Sequence, residues 1–132
     1  MKKLSHQLVW FVAVGASAAL VHWLVVVMLV SEGYLTPLTA NIMGWLVAFG
    51  VSFTGHYQLT FRHQRSGVKD NIWRFFLLSA IGFAINETSY ALLLKQTRLP
   101  YELLLALILI SVAAFTFVAS RFWAFSTSRS PN

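Results

Sequence analysis

Charge is missing from this chain in blocks the length of a membrane. No Asp, Glu, Lys or Arg stands between Lys3 and Glu32, between Glu32 and Arg62, or between Glu102 and Arg121, and the stretch from Arg74 to Lys95 holds one, Glu87. A helix crossing the hydrocarbon core of a bilayer needs roughly 20 mostly apolar residues. The 132 residues therefore hold four spans with short connections. Only 11% of residues are charged, against about a quarter in a soluble domain. Little chain is left for an aqueous catalytic domain, and neither a P-loop nor a GxGxxG fingerprint occurs. The net charge of +6 does not call for nucleic acid, because the ten basic residues flank apolar runs, where they set topology. With no cysteine, disulfides and thiolate metal sites are excluded.

Local punctuation places the spans at about 8–30, 37–57, 72–94 and 100–122. The first ends at the polar Ser31, Glu32 and Gly33. The second opens on Thr36-Pro37, a capping residue and a proline at the first helical position. Asp70 or Asn71 can cap the third, and Pro100 with Glu102 opens the fourth. Lys2, Lys3, an apolar run and Ala16-Ser17-Ala18 mimic a cleavable signal peptide. The apolar run continues to Val30, however, which reads as a span. The tail from Ser126 to Asn132, rich in serine, reads as disordered.

Orientation follows from the basic residues. Lys2, Lys3, Arg62, Arg65, Lys69, Arg74, Arg121 and Arg129 fall at the two termini and the middle connection, and only Lys95 and Arg98 fall in the other two. The positive-inside rule puts the termini and the middle connection in the cytoplasm. A shift of 64 residues lays Phe11 on Phe75, Gly15 on Ser79, His22 on Asn86, Phe53 on Phe117 and Phe61 on Phe125, and a one-residue slip aligns Pro37 with Pro100. The expected fold is thus all-α and integral to the membrane: a single membrane domain of four transmembrane helices in two parallel repeated hairpins, about 8–61 and 72–125. Repeats of this kind commonly place a site at their interface.

Several of these features together carry a family resemblance. Phe11 and Gly15 start the first span, Pro37 and Asn41 start the second, and its exit runs from Phe53 to Phe61. The second half has Arg74-Phe75 at its start and Phe117-Val-Ala-Ser-Arg-Phe-Trp-Ala-Phe125 at its end. This pattern resembles the GtrA-like family of small four-span membrane proteins, over about residues 8 to 125. His56-Tyr57 stands where the family pattern has Asn-Arg, and His22 where an acidic residue is common. The resemblance implies translocation, or flipping, of a polyprenyl-phosphate-linked sugar such as bactoprenol glucose across the bacterial cytoplasmic (inner) membrane, in cell-surface polysaccharide glycosylation. No nucleophile, base and oxyanion constellation can be assembled from two His and one Glu in apolar spans, so neither enzyme activity nor a cofactor is expected. The implied partners are that sugar lipid, a membrane glycosyltransferase and a second copy of the chain. Two other classes stay open: a non-transporting subunit that positions a glycosyltransferase, and a small proton-coupled exporter.

Candidate site residues come from polarity at depth. Glu87 and His22 lie about 15 and 14 residues into their spans, at similar depth just beyond the midplane. An acidic group there faces the bundle interior, pairs or titrates, and Asn86, Thr88 and Ser89 add hydrogen-bonding groups around it. The four histidines lack metal-ligand spacing. Arg121 and Arg74, at the cytoplasmic boundary, can meet a lipid phosphate with a guanidinium fork, whereas Arg62 reads as a snorkelling residue. Trp23 and Trp45 lie deeper than the interfacial Trp10, Trp73 and Trp123 and can contact a sugar. Asn41 completes the set of candidate substrate-binding residues. Small residues at Ala40, Gly44, Ala48 and Ser52, continued by His56, form one smooth stripe for helix packing, and Gly15 with Ala19 and Ser79 with Gly82 offer similar surfaces.

Overall fold

The computed structural model describes residues 2–60 and 72–126, with side chains described for 5–6, 8–59, 72–73 and 75–115. They form four helices: α1 (Lys2–Ser31), α2 (Pro37–Gly55, prolonged by a π-helical turn at His56–Thr60), α3 (Ile72–Gln96) and α4 (Tyr101–Ser126). No strand occurs among the described residues. A chain whose surroundings offer no water must satisfy its backbone internally, and helices do this within each segment. Three stretches are long and apolar enough to cross a membrane, Leu8–Ser31, Pro37–Leu59 and Phe75–Gln96. In α4 the described apolar stretch, Tyr101–Phe115, is shorter. The chain is a multi-pass membrane protein.

The boundaries have local causes. The Gly33 N–H bonds to the Val30 carbonyl and the Tyr34 N–H to the Leu29 carbonyl, both at 3.0 Å. This is a Schellman closure with Gly33 in the left-handed position, at φ 74°. Pro37 then opens α2 with Thr36 extended before it, and the Ala40 N–H reaches the Thr36 carbonyl at 2.8 Å. Helix α1 starts at Lys2, since nothing in residues 2–7 breaks a helix, and its apolar span begins at Leu8. The structure departs from expectation at two other ends. Helix α4 starts at Tyr101, so Pro100 precedes the helix rather than opening it. The α-helical part of the second span stops at Gly55, not Tyr57. The expected cap at Asp70 or Asn71 and the tail 127–132 lie outside the described residues, and Ser126 itself is helical.

Helix α1 packs along α2, α3 against α4, and the hairpins meet through α1 with α4 and α2 with α3. Every fourth residue of α1, Val14, Ala18, His22 and Val26, is buried. The small stripe of α2 is buried at Ala40, Gly44, Ala48 and His56. A Cβ on Gly44 would lie 2.6 Å from the His22 ring and 2.9 Å from the His22 carbonyl oxygen, and one on Gly55 would lie 2.7 Å from a Val14 methyl. The stripe therefore seats α2 on α1 inside one chain. Gly15 is exposed with nothing within 4 Å of its missing Cβ, and Gly82 also has nothing there, so neither provides the close packing surface expected of it. A core of Val26, Ala40, Tyr90, Leu104, Leu105 and Ile108 fills the end of the bundle nearest the two short connections. The outward faces are apolar, unlike those of a water-soluble protein, and polar side chains join the interior. Leu20, Leu78, Ile85 and Ile110 are exposed, whereas His22, Asn41, His56 and Asn86 are buried.

Candidate functional site

The polar side chains of the spans converge on Asn41. It is 0% exposed, with His22 at 5% and Asn86 at 4% beside it, one each from α2, α1 and α3. The Asn41 amide donates to the Asn86 Oδ1 at 2.8 Å and to the Glu87 Oε2 at 2.6 Å. These acceptors fix the amide orientation, because a flipped amide would turn its oxygen onto the carboxylate. Asn41 Oδ1 thus faces His22, 2.7 Å from Nε2, so His22 carries a proton on Nε2 and donates it. One asparagine joins three helices and both halves of the chain.

Each residue occupies its place through helix geometry. His22 follows Val14 and Ala18 down the buried side of α1, and the missing Cβ of Gly44 lets α2 come close enough for the His22–Asn41 bond. Asn86 lies on the same face of α3 as the fully buried Tyr90, one turn on, whose hydroxyl donates to the Tyr101 carbonyl at 3.2 Å. Glu87, the next residue, is half-buried at the edge of that face. The arrangement offers a carboxylate, an imidazole and two amides held in one orientation. That set can bind hydroxyl-bearing groups or pass a proton. Among the described residues no group of three or more His, Cys, Asp or Glu side chains could hold a metal ion.

The structure joins His22, Asn41, Asn86 and Glu87 by hydrogen bonds and gives the two tryptophan N–H groups other partners. The Trp23 indole donates to the Glu102 carbonyl at 2.8 Å, tying α1 to α4. The Trp45 indole donates to the Ser79 hydroxyl at 3.0 Å, and one ring face stacks on Phe83 at 4.7 Å and 12°. Both N–H groups are thus engaged within the fold. Arg74 lies in α3 and Arg121 in α4, with their side chains outside the described set, and Arg62 lies outside the described residues altogether. Reading polarity at depth does not reveal His56, buried with its ring 5.0 Å from Phe11 and 6.0 Å from Phe75. The usable signal was its place at the end of the small stripe.

The chain matches the family described as GtrA/DPMS, transmembrane domain, over residues 10–125. It belongs to that family. No curated protein and no solved structure matches it. The GtrA/DPMS assignment marks a sugar-lipid related membrane protein, of a kind that is generally non-catalytic. The His22–Asn41–Asn86–Glu87 node lies within the matched residues of this GtrA/DPMS domain.

Proposed function

We propose that this GtrA/DPMS domain translocates a polyprenyl-phosphate-linked sugar across the bacterial inner membrane, with the four-residue node receiving the sugar. The observation that carries this reading is Glu87, a half-buried carboxylate deep in an apolar helix and held by Asn41. A charged side chain at the bilayer centre costs about 3 kcal/mol on insertion scales. Packing alone does not require one, since the uncharged Trp23 stands at the equivalent place in the first half, 64 residues earlier.

The same reading has four spans, with α4 as the fourth. Its 26 residues reach about 39 Å at ~1.5 Å per residue, enough for a bilayer. Two parallel repeats are supported by burial that recurs at a spacing of 64 residues: His22 with Asn86, Val26 with Tyr90, Ala40 with Leu104 and Gly44 with Ile108. Cytoplasmic termini rest on the eight-to-two distribution of basic residues. Arg121 and Arg74 take the lipid phosphate on that side, while the node lies toward the opposite face.

The lipid that copurifies with the intact chain tests the reading. A polyprenyl-phosphate sugar, retained by the parent and lost from Glu87→Gln, is the expected result. Copurification of a glycosyltransferase with no such lipid would overturn it in favour of a positioning subunit.

A further inference from the structure

Glu87 is not sealed inside the bundle. On α3 it shares one flank with Phe83 and Phe76, four and eleven residues earlier, a spacing that keeps side chains on one side of a helix. Across from them, Asn41, Trp45, Phe49 and Phe53 recur every four residues on α2. The two rows meet rung by rung. Asn41 holds Glu87, and Trp45 stacks on Phe83 and tilts against Phe76 at 5.6 Å. Phe49 meets Phe76 edge-on at 5.3 Å and Phe75 at 5.8 Å, and Phe53 meets Phe75 at 6.0 Å. Among the described residues no ring pair joins α1 to α4, so the aromatic ladder belongs to one side of the bundle.

We propose that the α2–α3 seam is the lateral passage along which the sugar head group of the lipid moves between the membrane and Glu87. The inference rests on the lipid-linked-sugar reading and adds the route. Phe76 is 41% exposed and Glu87 half-buried, so the ladder opens toward the bilayer with a carboxylate at one end. A carboxylate so placed is costly unless a polar group meets it. The Trp45 N–H is already given to Ser79, which leaves the seam with ring surfaces rather than donors. A hexose fits both features: its C–H face lies on aromatic rings, and its hydroxyls donate to a carboxylate in charge-assisted hydrogen bonds. A plain acyl chain would use the rings and add no hydrogen bond at Glu87 beyond the one from Asn41.

The test places a photo-crosslinking benzoyl-phenylalanine at Phe76 in the full chain, with Leu20 and Ile110 as exposed positions on α1 and α4. The proteins sit in vesicles containing either polyprenyl-phosphate glucose or sugar-free polyprenyl phosphate. Several-fold higher cross-linking of the glucose lipid at Phe76 than at Leu20 or Ile110 is expected. That excess should vanish with the sugar-free lipid and fall when Glu87→Gln is added. Equal yields at all three positions, or equal yields for both lipids at Phe76, would overturn the route. Transport of the glucose lipid is measured in the same vesicles. Transport without seam preference sinks the route alone, whereas neither cross-linking nor transport sinks the lipid-linked-sugar reading and the route with it.

Discussion

Gly44→Ala is a one-methyl change aimed at the closest approach in the bundle. The new Cβ would lie 2.6 Å from the His22 ring, 2.9 Å from the His22 carbonyl oxygen and 2.9 Å from a Val26 methyl. The carbonyl is α1 backbone and cannot turn aside, so α2 has to withdraw and stretch the 2.7 Å His22–Asn41 bond with it. Overpacking of this kind costs about 1–3 kcal/mol, and loss of one interhelical hydrogen bond in a membrane adds about 0.6 kcal/mol. Gly15→Ala and Gly82→Ala are the controls, since nothing lies within 4 Å of either added methyl. They should be neutral, or gain up to about 1 kcal/mol from helix propensity. Gly55→Ala falls between, because it meets only the Val14 side chain. Thermal unfolding of the purified proteins in one detergent, followed by loss of the monodisperse chromatographic peak, ranks all four. A Gly44→Ala protein as stable as Gly15→Ala would refute the α1–α2 seat and the argument that Gly44 sets the node.

Asn41→Leu places in the first half the residue type that the second carries at Leu105, but strands His22, Asn86 and Glu87 together. It should lower thermal stability more than Asn86→Leu, which removes one of the three bonds. Arg121→Lys should weaken binding of a polyprenyl-phosphate sugar in native mass spectrometry and Arg121→Ala weaken it further, because an ammonium cannot copy a bidentate fork. Arg62→Lys should be silent, and a parent-like Arg121→Ala would move the phosphate site elsewhere. In intact cells Ser66→Cys should resist an impermeant thiol reagent that labels Gly33→Cys and Thr97→Cys. The reverse pattern would invert the topology, and no native cysteine confuses the assay.

Much of the fold could be read because the gaps in charge are as long as the helices, and because Gly33 and Pro37 carry backbone constraints that act locally. The α2 stripe was legible for the same reason: small residues every four positions describe a face. Other features depended on partners. Gly15 and Ala19 looked like a packing face by composition, yet α1 meets α2 through Val14, Ala18, His22 and Val26, one position round the helix. The π-helical turn at His56–Thr60 follows a helix end where His56 packs between Phe11 and Phe75, contacts between segments far apart in sequence. At the site, His22 and Glu87 stood out as polar residues in apolar runs. The bridging role of Asn41 did not, because it lies four residues after Pro37. Depth counted along α2 alone puts it near the surface, whereas the register of α2 against α1 carries it to His22. The Trp23 and Trp45 indoles were legible as deep tryptophans, but not as the donors that tie α1 to α4 and α2 to α3.

Movement of a fluorescent polyprenyl-phosphate glucose across sealed vesicles, read by a membrane-impermeant quencher, decides whether the chain translocates the lipid through the node. The parent chain should raise the rate above protein-free vesicles, and Glu87→Gln should return it to that baseline while the variant still inserts and melts like the parent. The substitution preserves shape and hydrogen bonding and removes only the charge and its titration. A parent chain that leaves the protein-free rate unchanged, or a Glu87→Gln chain that moves the lipid as fast as the parent, would contradict translocation through the node.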